Sequence, residues 1–284
     1  MSRYSFIIVL FFLLVSCSNQ PHLQPNIVVE GWIEQGRPPV VMLHESVSSD
    51  KIGDWYTTDE LKNLVINWGK VTISDGEKDI ILTGKTDTMY MPPYIYTTGK
   101  MLGEAGKRYT IKVEYSGLTV TGETQLLTPP SFEQIEIKQL KDNTFSIIGK
   151  FVEKDMPYSG YALFGKKQGE KQYTLCFNGV FSSVNTNDTL FVDIYKASNA
   201  MSSDNGLKTH YVLNDTISIR FSRLDEQAYE FWNKYQSLSF SNSLIFSPVY
   251  ENYPTNLTGG LGYFFAYGAT YYNFILNMDT VINF

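Results

Sequence analysis

The chain has 284 residues and a formal net charge of −6; 18% of its residues are charged and 15% aromatic, with 20 Tyr, 18 Phe and 4 Trp. An acidic chain presents no surplus of cations to a phosphate backbone, which excludes nucleic acid as a partner. Two cysteines and three histidines are too few for zinc fingers, iron–sulfur ligation or a disulfide framework, while low charge with abundant Tyr, Phe and Thr favours β-structure.

At the amino terminus Arg3 precedes an uninterrupted apolar run over residues 6–15. That run is too short to span a bilayer and has the length of a signal-peptide core. It ends in Leu14-Val15-Ser16-Cys17, the pattern of a bacterial lipobox. A small residue precedes the cleavage point, and the Cys17 thiol takes diacylglycerol before its freed amine is acylated in turn. Each buried methylene of such chains contributes about 0.8 kcal/mol, so several of them anchor durably. Residues 1–16 are therefore expected to be a lipoprotein signal peptide and 17–25 a lipidated tether. The competing reading is a cleaved secretory signal followed by an accidental cysteine. Ser18 is not the aspartate that commonly retains lipoproteins at the inner membrane, so lipid on Cys17 is expected to hold the chain at the outer membrane. No acidic residue directly follows Cys17 to choose between that membrane's two faces.

Beyond the tether, short alternating runs predict strands over 27–33, 40–44, 70–74, 80–83, 107–115 and 118–126. Gly76 and Gly117 sit where hairpin turns need positive φ. Thr57 and Glu60 have capping-box spacing and suggest a short helix over 57–64. Thr128-Pro129-Pro130-Ser131 reads as a stiff link, so 26–129 and 130–284 are expected as two domains. The second half predicts strands over 132–140, 144–152, 158–165, 171–177, 189–195, 210–213 and 216–221. A helix near 222–238 follows, with Ser222 and Asp225 as its capping box and Leu224, Ala228, Phe231, Tyr235 and Leu238 at helical spacing. A last strand is expected near 270–277. The expected fold is mainly β: two β-sandwich-like domains of immunoglobulin or transthyretin type, with one helix in the second.

Three groups of residues then recur in a set order. Ile27-Val28-Val29-Glu30-Gly31-Trp32-Ile33 comes soon after the lipobox. Gly69-Lys70-Val71-Thr72-Ile73-Ser74-Asp75-Gly76 is followed by Gly106-Lys107-Arg108-Tyr109-Thr110-Ile111-Lys112-Val113. Residues 224–232 are followed by Asn256-Leu257-Thr258-Gly259-Gly260-Leu261-Gly262-Tyr263-Phe264. Together they resemble a Bacteroidetes lipoprotein family catalogued as a domain of unknown function, number 4249 in its series. The resemblance covers essentially the whole mature chain. It implies an outer-membrane lipoprotein encoded beside a TonB-dependent receptor, and it brings no catalytic residues with it. The segment 51–67 is longer and more helical than the resemblance leads one to expect.

The remaining motifs favour binding over catalysis. Gly259 to Gly262 would need a following helix to cradle a pyrophosphate, yet an aromatic, strand-like run follows, so a tight glycine turn against a neighbouring sheet is expected. Glu30 and Glu34, four apart on a strand, share one face about 13 Å apart, too far for the carboxylate pair of a glycosidase. Glu30 interrupts an apolar strand just before Trp32, which makes these two residues candidates for touching a ligand or partner; a buried, hydrogen-bonded Glu30 is the alternative. Tyr90, Tyr94 and Tyr96 flank Met91-Pro92-Pro93, where prolines keep the chain off a central strand, and are the aromatic surface candidates beside a core role. His22, His44 and His210 lack metal-ligand spacing, and no GxSxG elbow is present. Neither a metal nor a cofactor is expected, and Cys176 reads as a buried apolar residue.

Asp-Thr-apolar triplets at Thr88, Thr189, Thr216 and Thr280 resemble the O-glycosylation acceptor motif of exported Bacteroidetes proteins, with turn-to-strand junctions as the alternative. The function expected from all this is a non-enzymatic outer-membrane lipoprotein, accessory to or capturing ligand for a TonB-dependent receptor. A stand-alone carbohydrate- or peptide-binding envelope lipoprotein comes second, and a hydrolase with a dispersed site third.

Overall fold

A computed structural model describes residues 26–46, 63–140, 143–153, 159–183, 189–197, 209–241 and 253–277. Cys17, Thr280 and nearly all of the helix expected over 57–64 lie outside the described residues. Among the described residues the fold is mainly β, with several sheets and no closed barrel. The first half of the chain gives β1 (Ile27–Glu34), β2 (Val40–Glu45), β3 (Lys70–Ser74), β4 (Asp79–Ile81), β5 (Thr83–Thr86), β6 (Tyr94–Thr97), β7 (Arg108–Tyr115) and β8 (Leu118–Gln125). Then come β9 (Gln134–Gln139), β10 (Thr144–Val152), β11 (Ser159–Lys167), β12 (Thr174–Ser183), β13 (Thr189–Asp193), β14 (Tyr211–Val212) and β15 (Thr216–Leu224). The helix α1 (Glu226–Ser241), β16 (Leu257–Thr258) and β17 (Leu261–Ile275) close the order.

Eight strands make the central sheet, in the order β12-β11-β15-β17-β1-β2-β6-β5. Strand β17 is its spine. Residues 261–267 pair in parallel with β1, and residues 268–275 pair antiparallel with β15. Two smaller sheets lie on one face. The sheet β16-β8-β7-β3-β4 backs the β1 side, and the sheet of β9, β10, β13 and β14 backs the β15 side.

Side-chain alternation shows how the layers close. Val29, Ile33, Val41 and Leu43 meet Val71, Ile73, Ile111 and Val113 in a first core, which also contains Leu257, Phe264 and Ala266 from the far end of the chain. Tyr161, Leu163, Ile219 and Phe221 meet Phe145, Ile147 and Phe151 in a second core. Phe264 and Ala266 in one core, with Tyr272 and Phe274 against the other, all carry even numbers and so share one face of β17. The residues around 128–131 separate the two cores in chain order, and the last strand returns across that point to enter both.

The opposite face carries α1. Ala228 and Phe231 pack with Ala162, Phe164 and Phe265 in a third core. Ser222 is not the cap expected of it: it is buried within β15 with its hydroxyl unpartnered. Asp225 itself is the N-cap, its Oδ1 accepting from the Ala228 amide at 2.9 Å. Its Oδ2 accepts from Thr124 Oγ1 at 2.7 Å and from the Gln125 amide at 3.0 Å, tying the helix start to β8. At the helix's other end, Gln236 exchanges hydrogen bonds with the Val180 backbone, satisfying the edge strand β12.

The strand limits differ from expectation in a few places. The strand expected over 80–83 is two short ones, β4 and β5, in different sheets. The strand expected over 171–177 starts and ends later, as β12. The last strand begins at Leu261 rather than near 270, because the aromatic run after the glycines is already paired with β1. The hairpins after β3 and β7 are as expected, with Gly76 at φ 86° and Gly117 at φ 81°.

Candidate functional site

On the face turned away from the two small sheets, alternation places Trp32 and Glu34 of β1 and Tyr263, Tyr267 and Tyr271 of β17 side by side, with Glu34 and Tyr267 buried and the other three partly exposed. Phe164 and Lys166 of β11, with Arg220 of β15, continue that surface across the sheet. Trp232 of α1 bounds it at one end, its indole N–H donating to the Tyr267 hydroxyl at 3.0 Å. The connection between β5 and β6 and the one between β11 and β12 form the rims. Lys171 Nζ donates to the Thr88 carbonyl at 2.8 Å, and Gln172 Nε2 donates to the Met89 carbonyl, so the rims are bridged. The result is a cleft of about 660 Å³ where the two halves of the chain meet, of a size and position common for small-molecule sites.

Glu34 is the polar centre of the floor. Its carboxylate accepts from Arg220 and from the Tyr271 hydroxyl, and Arg37 Nε lies 3.5 Å away. The Arg220 guanidinium sits 4.1 Å over the Phe164 ring and 4.7 Å over the Tyr267 ring, an arrangement that favours a planar cation. Burial works against charge on Arg220; Glu34, with Tyr267 and Tyr271 behind it, outweighs that penalty, and its pKa is raised. Burial pushes the Tyr263, Tyr267 and Tyr271 hydroxyls up as well, so they stay protonated and able to donate.

The cleft is lined by five cationic side chains, Arg37, Lys85, Lys166, Lys171 and Arg220, against two carboxylates, Glu34 and Asp87. Asp87 is 3.4 Å from Lys85 and also accepts from the Met89 amide. Lys166 Nζ stands 4.8 Å over the Tyr173 ring. Trp32 and Tyr90 form a tilted pair with ring centroids 5.9 Å apart, and Tyr173 meets Tyr271 edge-on at 5.8 Å. All four of these rings are partly exposed.

Of the residues singled out from the sequence, Trp32 and Tyr90 line the cleft. Glu30 shares the face of Trp32 but lies outside the cleft lining, 3.9 Å from His44 Nε2. Burial raises the Glu30 pKa and lowers that of His44, which favours a neutral pair. Of the other two surface candidates, both on β6, which pairs with β2 and β5, Tyr94 is partly exposed and Tyr96 is not at the surface. Tyr96 is buried, its hydroxyl donating to the Ile66 carbonyl at 2.7 Å and its pKa pushed up to about 12 by burial. Tyr94 packs edge-on against it.

The glycine run behaves as a close backbone approach. Gly262 has φ 94°, and a Cβ there would collide with the Val29 carbonyl. Thr88 is exposed on the cleft rim, while Thr189 and Thr216 open β13 and β15. Cys176 is buried, which raises its thiol pKa and keeps it protonated. Among the described residues no group of three or more His, Cys, Asp or Glu could hold a metal ion.

Sequence reasoning sets Glu34 aside as half of a carboxylate pair and misses Arg37, Tyr173, Arg220, Tyr267 and Tyr271. A faint signal existed in Tyr263, Tyr267 and Tyr271, which recur at an even spacing and so share a strand face. Nothing local marked Arg220 as the partner of a carboxylate 186 positions away.

The chain matches the family model described as a domain of unknown function, DUF4249, over residues 19–272, and it belongs to that family. No curated protein matches it.

Proposed function

We propose that this member of the DUF4249 family is a non-enzymatic lipoprotein of the outer membrane, held by lipid on Cys17, that captures a small ligand for a TonB-dependent receptor. The observation that carries the reading is the cleft. It is lined by aromatic rings, phenol hydroxyls and cations, the mixture that orients a bound small molecule by stacking and hydrogen bonding. Its one buried carboxylate is engaged by Arg220 and Tyr271 and so serves to hold the floor in place. The lipobox at Leu14 to Cys17 and the polar residues after it supply an anchor and a tether that would keep the cleft close to a receptor mouth.

The test is crosslinking of the full-length lipoprotein in its native membrane, followed by affinity capture and mass spectrometry. Near-stoichiometric recovery of one TonB-dependent receptor is expected, with Cys17→Ala releasing the protein from the membrane and abolishing the crosslink. Recovery of the lipoprotein alone overturns the partnership.

A further inference from the structure

Resting on the capture reading, the chemistry of the cleft narrows the class of ligand: we infer that it binds a short acidic oligosaccharide, whose sugar rings lie on the cleft aromatics and whose carboxylate or sulfate meets Lys166 and its cationic neighbours. The first observation is charge. Five cations face two carboxylates inside the cleft, in a chain whose formal net charge is −6. Positive potential has thus been gathered at this one concave place against the sign of the whole molecule.

Both carboxylates are already spoken for. Glu34 is held by Arg220, Tyr271 and Arg37, and Asp87 by Lys85 and the Met89 amide. Lys166 meets the face of Tyr173 and retains donor capacity towards the cleft. An anion entering there gains charge-assisted hydrogen bonds without displacing an existing pair.

The second observation is shape. Trp32 with Tyr90, and Tyr173 with Tyr271, line the cleft as partly exposed aromatic pairs, with Lys166 over one ring of the second pair and Arg37 over the other. A pyranose ring has a C–H face to lay on such rings and a rim of hydroxyls to pair with phenols, ammonium groups and the Gln172 amide. A purely aliphatic ligand would leave these donors unmatched, and a neutral glycan would leave the surplus charge unmatched.

The experiment is titration calorimetry of the full-length protein in detergent. The acid probes are galacturonate trimer and a sulfated chondroitin disaccharide; the neutral ones are fully methyl-esterified galacturonate trimer and maltotriose. At least one acid probe is expected to bind at least roughly tenfold more tightly than either neutral one, with an affinity that falls as salt rises. Lys166→Met, with an unchanged circular dichroism spectrum, should weaken the acid probe by roughly tenfold. A neutral probe that binds as tightly as the acids, or Lys166→Met binding like wild type, overturns the inference while leaving ligand capture standing. Failure of both acid probes to bind overturns it too, and the receptor crosslink then judges the capture reading separately, since it does not depend on which ligand is carried.

Discussion

Arg220 is a cation that the chain has placed under a lid of its own aromatic rings, and its tolerance there depends on one neighbour. With Glu34 at its guanidinium and Phe164 and Tyr267 on its faces, the charge is compensated; without Glu34 it would be a buried ion whose remaining contacts are ring faces and which has lost its water. Removing one member of such a pair costs about 3–5 kcal/mol, whereas replacing both by apolar groups is far milder. Glu34→Ala is therefore expected to lower the free energy of unfolding by that amount in guanidinium titrations. Adding Arg220→Met to it should recover a substantial part. If the double variant is no more stable than Glu34→Ala, the pair is not what holds the floor. This residue-level logic also explains why Glu30 stood out in the sequence and Glu34 did not. Both lie on one face of the same strand, and only the partner across the sheet separates a half-exposed carboxylate beside His44 from the anchor of the cleft. That partner comes from β15 and is invisible to local pattern.

At the scale of elements, alternation and turn chemistry were legible because they are local: β1, β3, β7, β8 and β10 lie where apolar residues recur at every second position. The pairing of β17 was not, since a parallel neighbour comes from the opposite end of the chain. The β6 segment misled for a related reason. Prolines argued against a central position, yet they precede the strand, and Tyr94–Thr97 is free to pair on both sides. The glycine run at the start of β17 predicts a place where backbone meets backbone, and Gly262, inside the strand, shows why it must be so. Its φ of 94° is strained for any side chain, and a Cβ would strike the Val29 carbonyl at the first rungs of the β1–β17 pairing. Gly262→Ala is expected to destabilise by about 3 kcal/mol or more, through strain and lost rungs together. Gly76→Ala, also at positive φ but with open space around its Cβ, should cost only about 1 kcal/mol. Equal losses at the two sites, measured by thermal unfolding, would remove the steric explanation.

For the whole molecule, the decisive fact is that one strand serves two cores. Phe264 and Ala266 fill the first, while Tyr272 and Phe274 pack against the second; Asn256 adds a side-chain bridge from β8 to β17 through the Glu123 carbonyl and the Phe264 amide. The Thr124 hydroxyl accepts from the Ala266 amide at 2.9 Å and donates to Asp225, so β8, β17 and α1 meet at a single buried oxygen. A chain cut at residue 131 would keep β1 to β8 but leave Val29 and Ile33 without the strand that covers their edge, and would lose three apolar side chains from the core. Leu257 and Phe264 each contribute about 1.5–3 kcal/mol when buried, and Ala266 less, together a large share of the roughly 5–15 kcal/mol that keeps a domain folded. Residues 17–131 are thus expected to lack a cooperative unfolding transition, while the full chain gives a single one with coincident near- and far-ultraviolet signals. A fragment that melts cooperatively would show that the first half stands without β17. The same coupling bears on the cleft, whose floor is β17 flanked by β1 and β15: strain or order introduced at a ligand on that floor reaches both halves of the molecule through one continuous strand.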